Sequence, residues 1–174
     1  MVAPSDVGRI WERHILDSLR ALRCLSPTDR TLADLGSGAG LPGIPVAIAR
    51  PKSVVVLVEP KRRRAAFLEL AAERLELGNV RVQPTRAAEA DLEADLVMAR
   101  ALADPAAAWA MAQPLLRPGG RVLYFAGRTW DAGQAAIVSE AGARVSVCVE
   151  PVVAWEGPLV MMSPAVPSSS KAND

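Results

Sequence analysis

Residues 31–43 read Thr-Leu-Ala-Asp-Leu-Gly-Ser-Gly-Ala-Gly-Leu-Pro-Gly. Thr31 to Leu35 is a short apolar run that stops at a glycine, as a buried strand does. Gly36, Gly38 and Gly40 alternate through the turn that follows. Leu41 to Arg50 then reads as a helix, with Pro42 and Pro45 tolerated because they fall in its first turn. A glycine loop between strand and helix lets backbone approach a ligand and adopt positive φ. The helix beyond it offers unpaired N–H groups to a carboxylate or phosphate. Val54 to Val58 is an uninterrupted β-branched and leucine run, which suits a parallel sheet covered on both faces. Glu59 follows it directly, 23 positions after Gly36, where an acid can accept hydrogen bonds from ribose hydroxyls.

The spacing separates two cofactor classes. A nicotinamide loop is G-x-G-x-x-G, whereas here the glycines are Gly36, Gly38, Gly40 and then Gly43. Asp34 precedes the first glycine by two positions. A carboxylate there repels a pyrophosphate and suits an ammonium, such as that on the methionine part of S-adenosylmethionine. The loop therefore favours methyl transfer over hydride transfer, with Asp34, Gly36, Ser37, Gly38, Gly40, Leu41 and Glu59 as candidate cofactor residues.

Outward from the loop, strands and helices alternate. Arg9 to Leu22 reads as an amphipathic helix, with Trp11, Ile15, Leu19 and Leu22 on one stripe. Lys61 to Leu77 is a second helix, with Ala65, Leu68, Ala72 and Leu75 on one face and Gly78-Asn79 closing it. Val80 to Gln83 and Asp95 to Ala99 are strands, and Pro105 to Leu116 is a helix. Pro118-Gly119-Gly120 reads as a turn before a strand over Arg121 to Ala126. Asp131 to Ala141 is a helix closed by Gly142, and Val145 to Val149 and Leu159 to Met162 are the last strands. The short connection Pro151 to Pro158 between them favours an antiparallel hairpin. The fold class expected is α/β: a Rossmann-like class I methyltransferase with a mainly parallel, doubly wound sheet and an antiparallel last strand. Residues 1–163 are expected to form one domain, with a short N-terminal helix over about 9–24. The Pro-, Ser- and Ala-rich tail, 164–174, is expected to be disordered.

Composition bounds the rest. The chain has 174 residues, 51% of them hydrophobic, enough for a full core without covalent staples. Cys24 and Cys148 are too few for a disulfide framework, sit in apolar settings and are read as small hydrophobes. With a single histidine, His14, no metal site is expected. The first ten residues carry no signal pattern and no long apolar run exists, so the expected compartment is the cytoplasm and no membrane partner is expected. A net charge of +1 gives no global pull toward nucleic acid, although Lys61, Arg62, Arg63 and Arg64 form a local cationic cluster.

Three stretches together carry a family resemblance: Trp11-Glu12-Arg13-His14-Ile15-Leu16-Asp17-Ser18, the loop through Leu41-Pro42-Gly43-Ile44-Pro45, and Arg50-Pro51. They resemble the small-subunit ribosomal RNA guanine-N7 methyltransferases, also called glucose-inhibited division protein B, from about Arg13 to about Arg128 and more faintly to Met162. The resemblance implies that Gly36 and Leu41 line the S-adenosylmethionine site, that Glu59 meets its ribose, and that backbone near Ala87 and Ala88 frames its adenine. It implies that Arg100, in Met98-Ala99-Arg100-Ala101, and Arg86 match two family arginines; His14 either lines the pocket near the methionine end, a reading the resemblance strengthens, or packs on a helix face. Arg100, Arg86 and His14 are accordingly the candidate catalytic residues, and Arg100 is also a candidate cofactor residue with Ala87 and Ala88. The implied partner is ribosomal RNA or the small subunit, and the chain is expected to be a monomer. It departs from the family pattern in having only about a dozen residues before R-H-I-L-D-S, in Ala126 where a lysine is usual, and in a single acid, Glu89, after Arg86.

Several residues keep two readings. Asp17 either orients His14 or is solvated. The Lys61–Arg64 cluster, unfavourable to a helix start, either meets RNA phosphate or is a solvated face. Trp109 and Trp130 either stack on a base or belong to the core. The alternative functions are methylation of a small molecule and cofactor binding without catalysis.

Overall fold

The computed structural model describes residues 8–165. Seven strands form one sheet in the order β3-β2-β1-β4-β5-β7-β6. They are β1 (Thr31–Leu35), β2 (Val54–Val58), β3 (Val80–Gln83), β4 (Ala94–Arg100), β5 (Leu116–Phe125), β6 (Ala143–Val149) and β7 (Leu159–Pro164). β1 pairs in parallel with β2 and β4, β2 with β3, and β4 with β5. Only β7 runs against its neighbours, β5 and β6, which is the antiparallel last strand expected from the short connection before it.

The helices are α1 (Asp17–Leu19), α2 (Gly43–Ala49), α3 (Arg62–Arg74), α4 (Pro105–Ala112) and α5 (Ala132–Glu140). Asp104 and Asp131 cap α4 and α5, each accepting from a backbone N–H three residues on, at 2.9 Å. Two apolar layers cover the sheet. One gathers Leu35, Val97, Trp109 and Val122, the other Leu32, Leu57, Leu68 and Met98, all at or below 1% exposure. The continuous apolar strands β1, β2 and β4 are buried because both faces are covered. At the amino edge, Asp95 accepts from Arg30 N and Thr31 N at 2.8 Å, and Arg121 Nη2 donates to both carboxylate oxygens of Asp29 at 2.7 and 2.8 Å. The carboxyl edge is left for a site.

Several expectations need correction. Pro118-Gly119-Gly120 does not precede β5 but lies within it. The register jumps from Ala94↔Leu116 to Leu96↔Arg121, so the glycines form a wide bulge in a strand that starts earlier. The N-terminal helix begins as a π-helical stretch, Trp11–Leu16, passes through α1 and tightens to a 3-10 turn, Arg20–Arg23. Its apolar stripe is only partly covered: Ile15 and Leu19 flank α2, while Trp11 is 64% exposed. Trp109 is core, 1% exposed, with its indole N–H donating to Ala141 O at 3.1 Å.

The two cysteines also depart from their reading. Cys24 and Cys148 are bonded as a disulfide, with Cα atoms 6.0 Å apart across 124 positions of sequence. β6 runs beside the end of the N-terminal helical segment, a proximity that sequence spacing does not display. β7 extends to Pro164, and Ala165 N donates to Gly142 O at 3.0 Å, so ordered pairing passes the expected start of the tail. Residues 166–174 of that tail lie outside the described residues. Among the described residues, no helix is long and apolar enough to cross a membrane, and no cluster of His, Cys, Asp or Glu is placed to hold a metal.

Candidate functional site

The loop after β1 owes its shape to glycine. Gly36, Gly38 and Gly40 have φ of 69°, 55° and 83°. At Gly36 a Cβ would also stand 2.7 Å from Leu102 Cδ1. Gly36 N and Ser37 N donate to Val58 O at 2.8 and 3.2 Å, which ties the loop to the end of β2. Ser37 Oγ donates to Asp34 O at 2.7 Å.

The two acids predicted for this site lie behind the loop. Glu59 is 2% exposed. Its carboxylate accepts from Gly38 N at 3.0 Å and Lys61 N at 2.9 Å, with Arg64 Nη1 at 3.8 Å. It therefore fastens the glycine loop to the start of α3. Asp34 is 1% exposed and accepts from Gly43 N, the first residue of α2, at 3.0 Å. Burial pushes its carboxyl up from 3.8 to about 7; the Gly43 N–H and the Arg100 charge oppose the rise, and the Glu59 charge adds to it.

In front of the loop, Gly36, Ser37, Gly38 and Leu41 line a cavity of about 230 Å³ together with His14, Arg64 and Arg100. Sequence reasoning thus places six of its candidates at one cavity. Gly40 faces instead an apolar groove beside α2, with Ile44 against it. Arg86, Ala87 and Ala88 follow β3, and Ala87–Glu89 form a 3-10 turn on the same carboxyl edge, on the far side of Glu59. Lys61, Arg62 and Arg63 are exposed at the start of α3 on that edge as well.

Arg100, the last residue of β4, ties the N-terminal helix to the sheet. Its guanidinium donates to His14 Nδ1 at 3.1 Å and to Arg13 O at 3.2 Å, and pairs with Asp17 Oδ2 at 3.1 Å. Arginine has only donors, so His14 Nδ1 is the acceptor. Asp17 bridges two arginines, since its Oδ1 also accepts from Arg20 Nη1 at 2.8 Å. Arg20 in turn donates to Gly157 O at 2.9 Å and stands 3.6 Å from Glu156 Oε2. The chain of alternating charge Glu156–Arg20–Asp17–Arg100 crosses the site. Ala101, next after Arg100, has φ of 50°, a conformation costly for a residue with a Cβ and concentrated at functional sites.

Beyond Arg100 lies a second cavity, about 450 Å³. It shares His14, Arg100 and Ala101 with the first. Trp155, Glu156 and Gly157, from the β6–β7 connection, line it with Arg13, Arg20 and Arg128. The sequence reading passed over these residues. Arg13 sits beside His14 with no spacing that marks it, and Trp155-Glu156 fall in the short Pro151–Pro158 connection, where no motif singles them out.

The first cavity has the chemistry an aminoacyl nucleoside cofactor needs. Backbone bare of side chains allows close approach, and Arg64, Arg100 and His14 border the space. It adjoins the larger cavity at His14, Arg100 and Ala101.

The GidB family, described as rRNA small subunit methyltransferase G, matches residues 1–145. The chain is 50% identical over 131 residues to the ribosomal RNA small subunit methyltransferase G of Acidiphilium cryptum, covering 75% of this chain and 58% of that protein. It is 38% identical to the protein of the same name from Acidothermus cellulolyticus, covering 98% of this chain and 78% of the relative. It spans less than three fifths of the length of several such curated relatives. The fold is similar to a SAM-dependent methyltransferase from Aquifex aeolicus, with a TM-score of 0.66 at 16% identity over 93% of this chain and 99% of the other.

Proposed function

The chain belongs to the rRNA small subunit methyltransferase G family, and from that premise we propose that it transfers a methyl group from S-adenosylmethionine to guanine N7 in small-subunit ribosomal RNA. The observation that carries the reading is the pair of adjoining cavities on the carboxyl edge, one walled by the glycine loop and the other by aromatic and charged side chains, with Arg100 between them. Open α/β sheets bind their ligands at this edge.

When bound, the cofactor supplies a methyl carbon made electrophilic by its sulfonium. Guanine N7 presents a lone pair and carries no proton, so the chain needs no general base. What its residues contribute is placement in line. The loop from Gly36 to Ala39 and Leu41 hold the cofactor, with Glu59 fastening that loop to the start of α3. The backbone at Ala87 and Ala88 frames the adenine. Arg100 and His14 stand where base and methyl group must meet. Arg86 and the exposed Lys61–Arg63 run offer phosphate contacts along the same edge. We assign this work to one domain acting as a monomer in the cytoplasm, without a metal ion.

Titration calorimetry tests the cofactor assignment: the purified chain is expected to bind S-adenosylmethionine and its demethylated product, and not NAD. Binding of NAD alone overturns it. Gly38→Val is expected to abolish binding, because a β-branched residue resists a φ of 55° and fills ligand space.

A further inference from the structure

We propose that the 450 Å³ cavity beyond Arg100 is the pocket for the purine to be methylated, and that Glu156 selects guanine by reading its Watson–Crick edge. The inference rests on the methyl-transfer reading and adds the pocket and a specificity-determining residue to it.

Position comes first. The cavity shares His14, Arg100 and Ala101 with the cavity at the glycine loop, so a ring seated in it has an edge facing the methyl group. Its volume falls in the range of small-ligand pockets, roughly 300–1,000 Å³. Trp155, 39% exposed, gives it an aromatic face against which a base can stack in the place of Arg9, whose guanidinium stands 5.1 Å from the ring.

The chemistry of the acids selects the base. N7 lies on one edge of guanine, and the donors N1–H and N2–H₂ lie on the opposite side of the ring system. If N7 faces the cofactor, those donors face the wall away from the glycine loop. Glu156 lines the second cavity and not the first. A carboxylate there meets two parallel donors. Adenine presents an acceptor, N1, at the same place and leaves the carboxylate opposed. The other acid of the cavity is occupied otherwise: both oxygens of Asp17 are paired with arginine, one with Arg20 and one with Arg100. In Glu156 it is Oε2 that accepts from Val152 N at 3.0 Å and faces Arg20 Nε at 3.6 Å. A carboxylate has about four lone-pair sites, so capacity is left for a base. Arg20 also holds Gly157 O, which fixes the connection carrying Trp155 and Glu156 against the N-terminal helix.

The test compares guanosine, inosine and adenosine 5′-monophosphates in the presence of S-adenosylhomocysteine, with affinities read by calorimetry on the full chain. Inosine lacks only the 2-amino group. The wild-type chain is expected to prefer the guanosine nucleotide to the inosine one by about tenfold, one hydrogen bond to a charged acceptor, and to bind adenosine monophosphate more weakly than either. Glu156→Ala is expected to erase the guanosine–inosine difference while leaving S-adenosylmethionine affinity unchanged. Glu156→Gln keeps an oxygen for Val152 N but opposes the 2-amino group with its own, and is expected to erase the difference too. A merely structural Glu156 changes overall binding without changing that ratio. Absence of a guanosine preference in the wild type, or an unaltered preference in both variants, overturns the inference. If the wild-type chain then still methylates small-subunit RNA, only the pocket assignment falls; if it neither methylates nor binds S-adenosylmethionine, the functional reading falls with it.

Discussion

Asp34→Asn should make this fold less sensitive to pH, by an amount the structure sets. The Asp34 carboxyl is 1% exposed and accepts from Gly43 N at 3.0 Å. Burial raises it from 3.8 to about 7. At about 1.4 kcal/mol for each tenfold change in the proton equilibrium, ionising it in the folded chain costs about 4 kcal/mol more than ionising it in the unfolded chain. Below pH 4 both states carry the proton and nothing is lost. Between pH 4 and 7 the unfolded chain releases the proton while the folded chain keeps it, so stability falls as pH rises. Above pH 7 both are ionised and the loss is complete. Asparagine keeps an oxygen for the Gly43 N–H and has no proton to lose. Urea unfolding of both proteins from pH 4 to pH 8 should show a stability difference that moves by about 4 kcal/mol in favour of the variant as pH rises, other groups cancelling between the two. A difference that stays constant across this range would refute the reasoning. If the cofactor's ammonium draws on this carboxylate, wild-type affinity for S-adenosylmethionine should climb between pH 5 and 7 and level off above, whereas the variant's should stay flat.

Three further outcomes follow from the same geometry. Glu59→Ala should weaken S-adenosylmethionine binding by about 1.5–3 kcal/mol, the range for hydrogen bonds to a charged group, as read by calorimetry; unchanged affinity removes Glu59 from the site. Arg100→Ala should depress methyl transfer strongly in single-turnover assays while leaving cofactor affinity mostly intact, because its guanidinium positions His14 and Asp17 at the junction of the cavities. Normal transfer by that variant contradicts its placement. Replacing the exposed Arg62 and Arg63 by alanine should weaken RNA binding and flatten its salt dependence by about 0.7 log units per lost single-strand phosphate contact; an unchanged slope marks the cluster as a solvated face.

What the sequence disclosed follows from how locally each feature is encoded. β1, β2 and β3 begin and end where the reading put them, because each stops at a residue that ends it locally, Gly36, Glu59 and Pro84, and nothing tertiary moves those stops. The turn chemistry of residues 36–40 is equally local, and all three glycines have the positive φ their spacing suggests. Features that depend on distant partners were not legible. Pro118-Gly119-Gly120 is a bulge rather than a turn only because Leu116 finds Ala94 across the sheet. Cys24 meets Cys148 only because β6 passes the N-terminal segment. The acids Asp34 and Glu59 were legible as members of the loop region, but not as groups turned inward onto Gly43 and Gly38. The second cavity is built from the N-terminal helix, the ends of β4 and β5 and the β6–β7 connection, regions far apart in sequence, and no short motif announces it.

Mapping of methylated nucleotides tests the central claim most directly. Small ribosomal subunits from cells lacking this gene, incubated with the purified chain and methyl-labelled S-adenosylmethionine, are digested and analysed by mass spectrometry. The account predicts one new 7-methylguanosine in the small-subunit RNA, absent when Gly38→Val replaces the wild-type chain. Label that appears on another atom, on another base or on no RNA at all would contradict it.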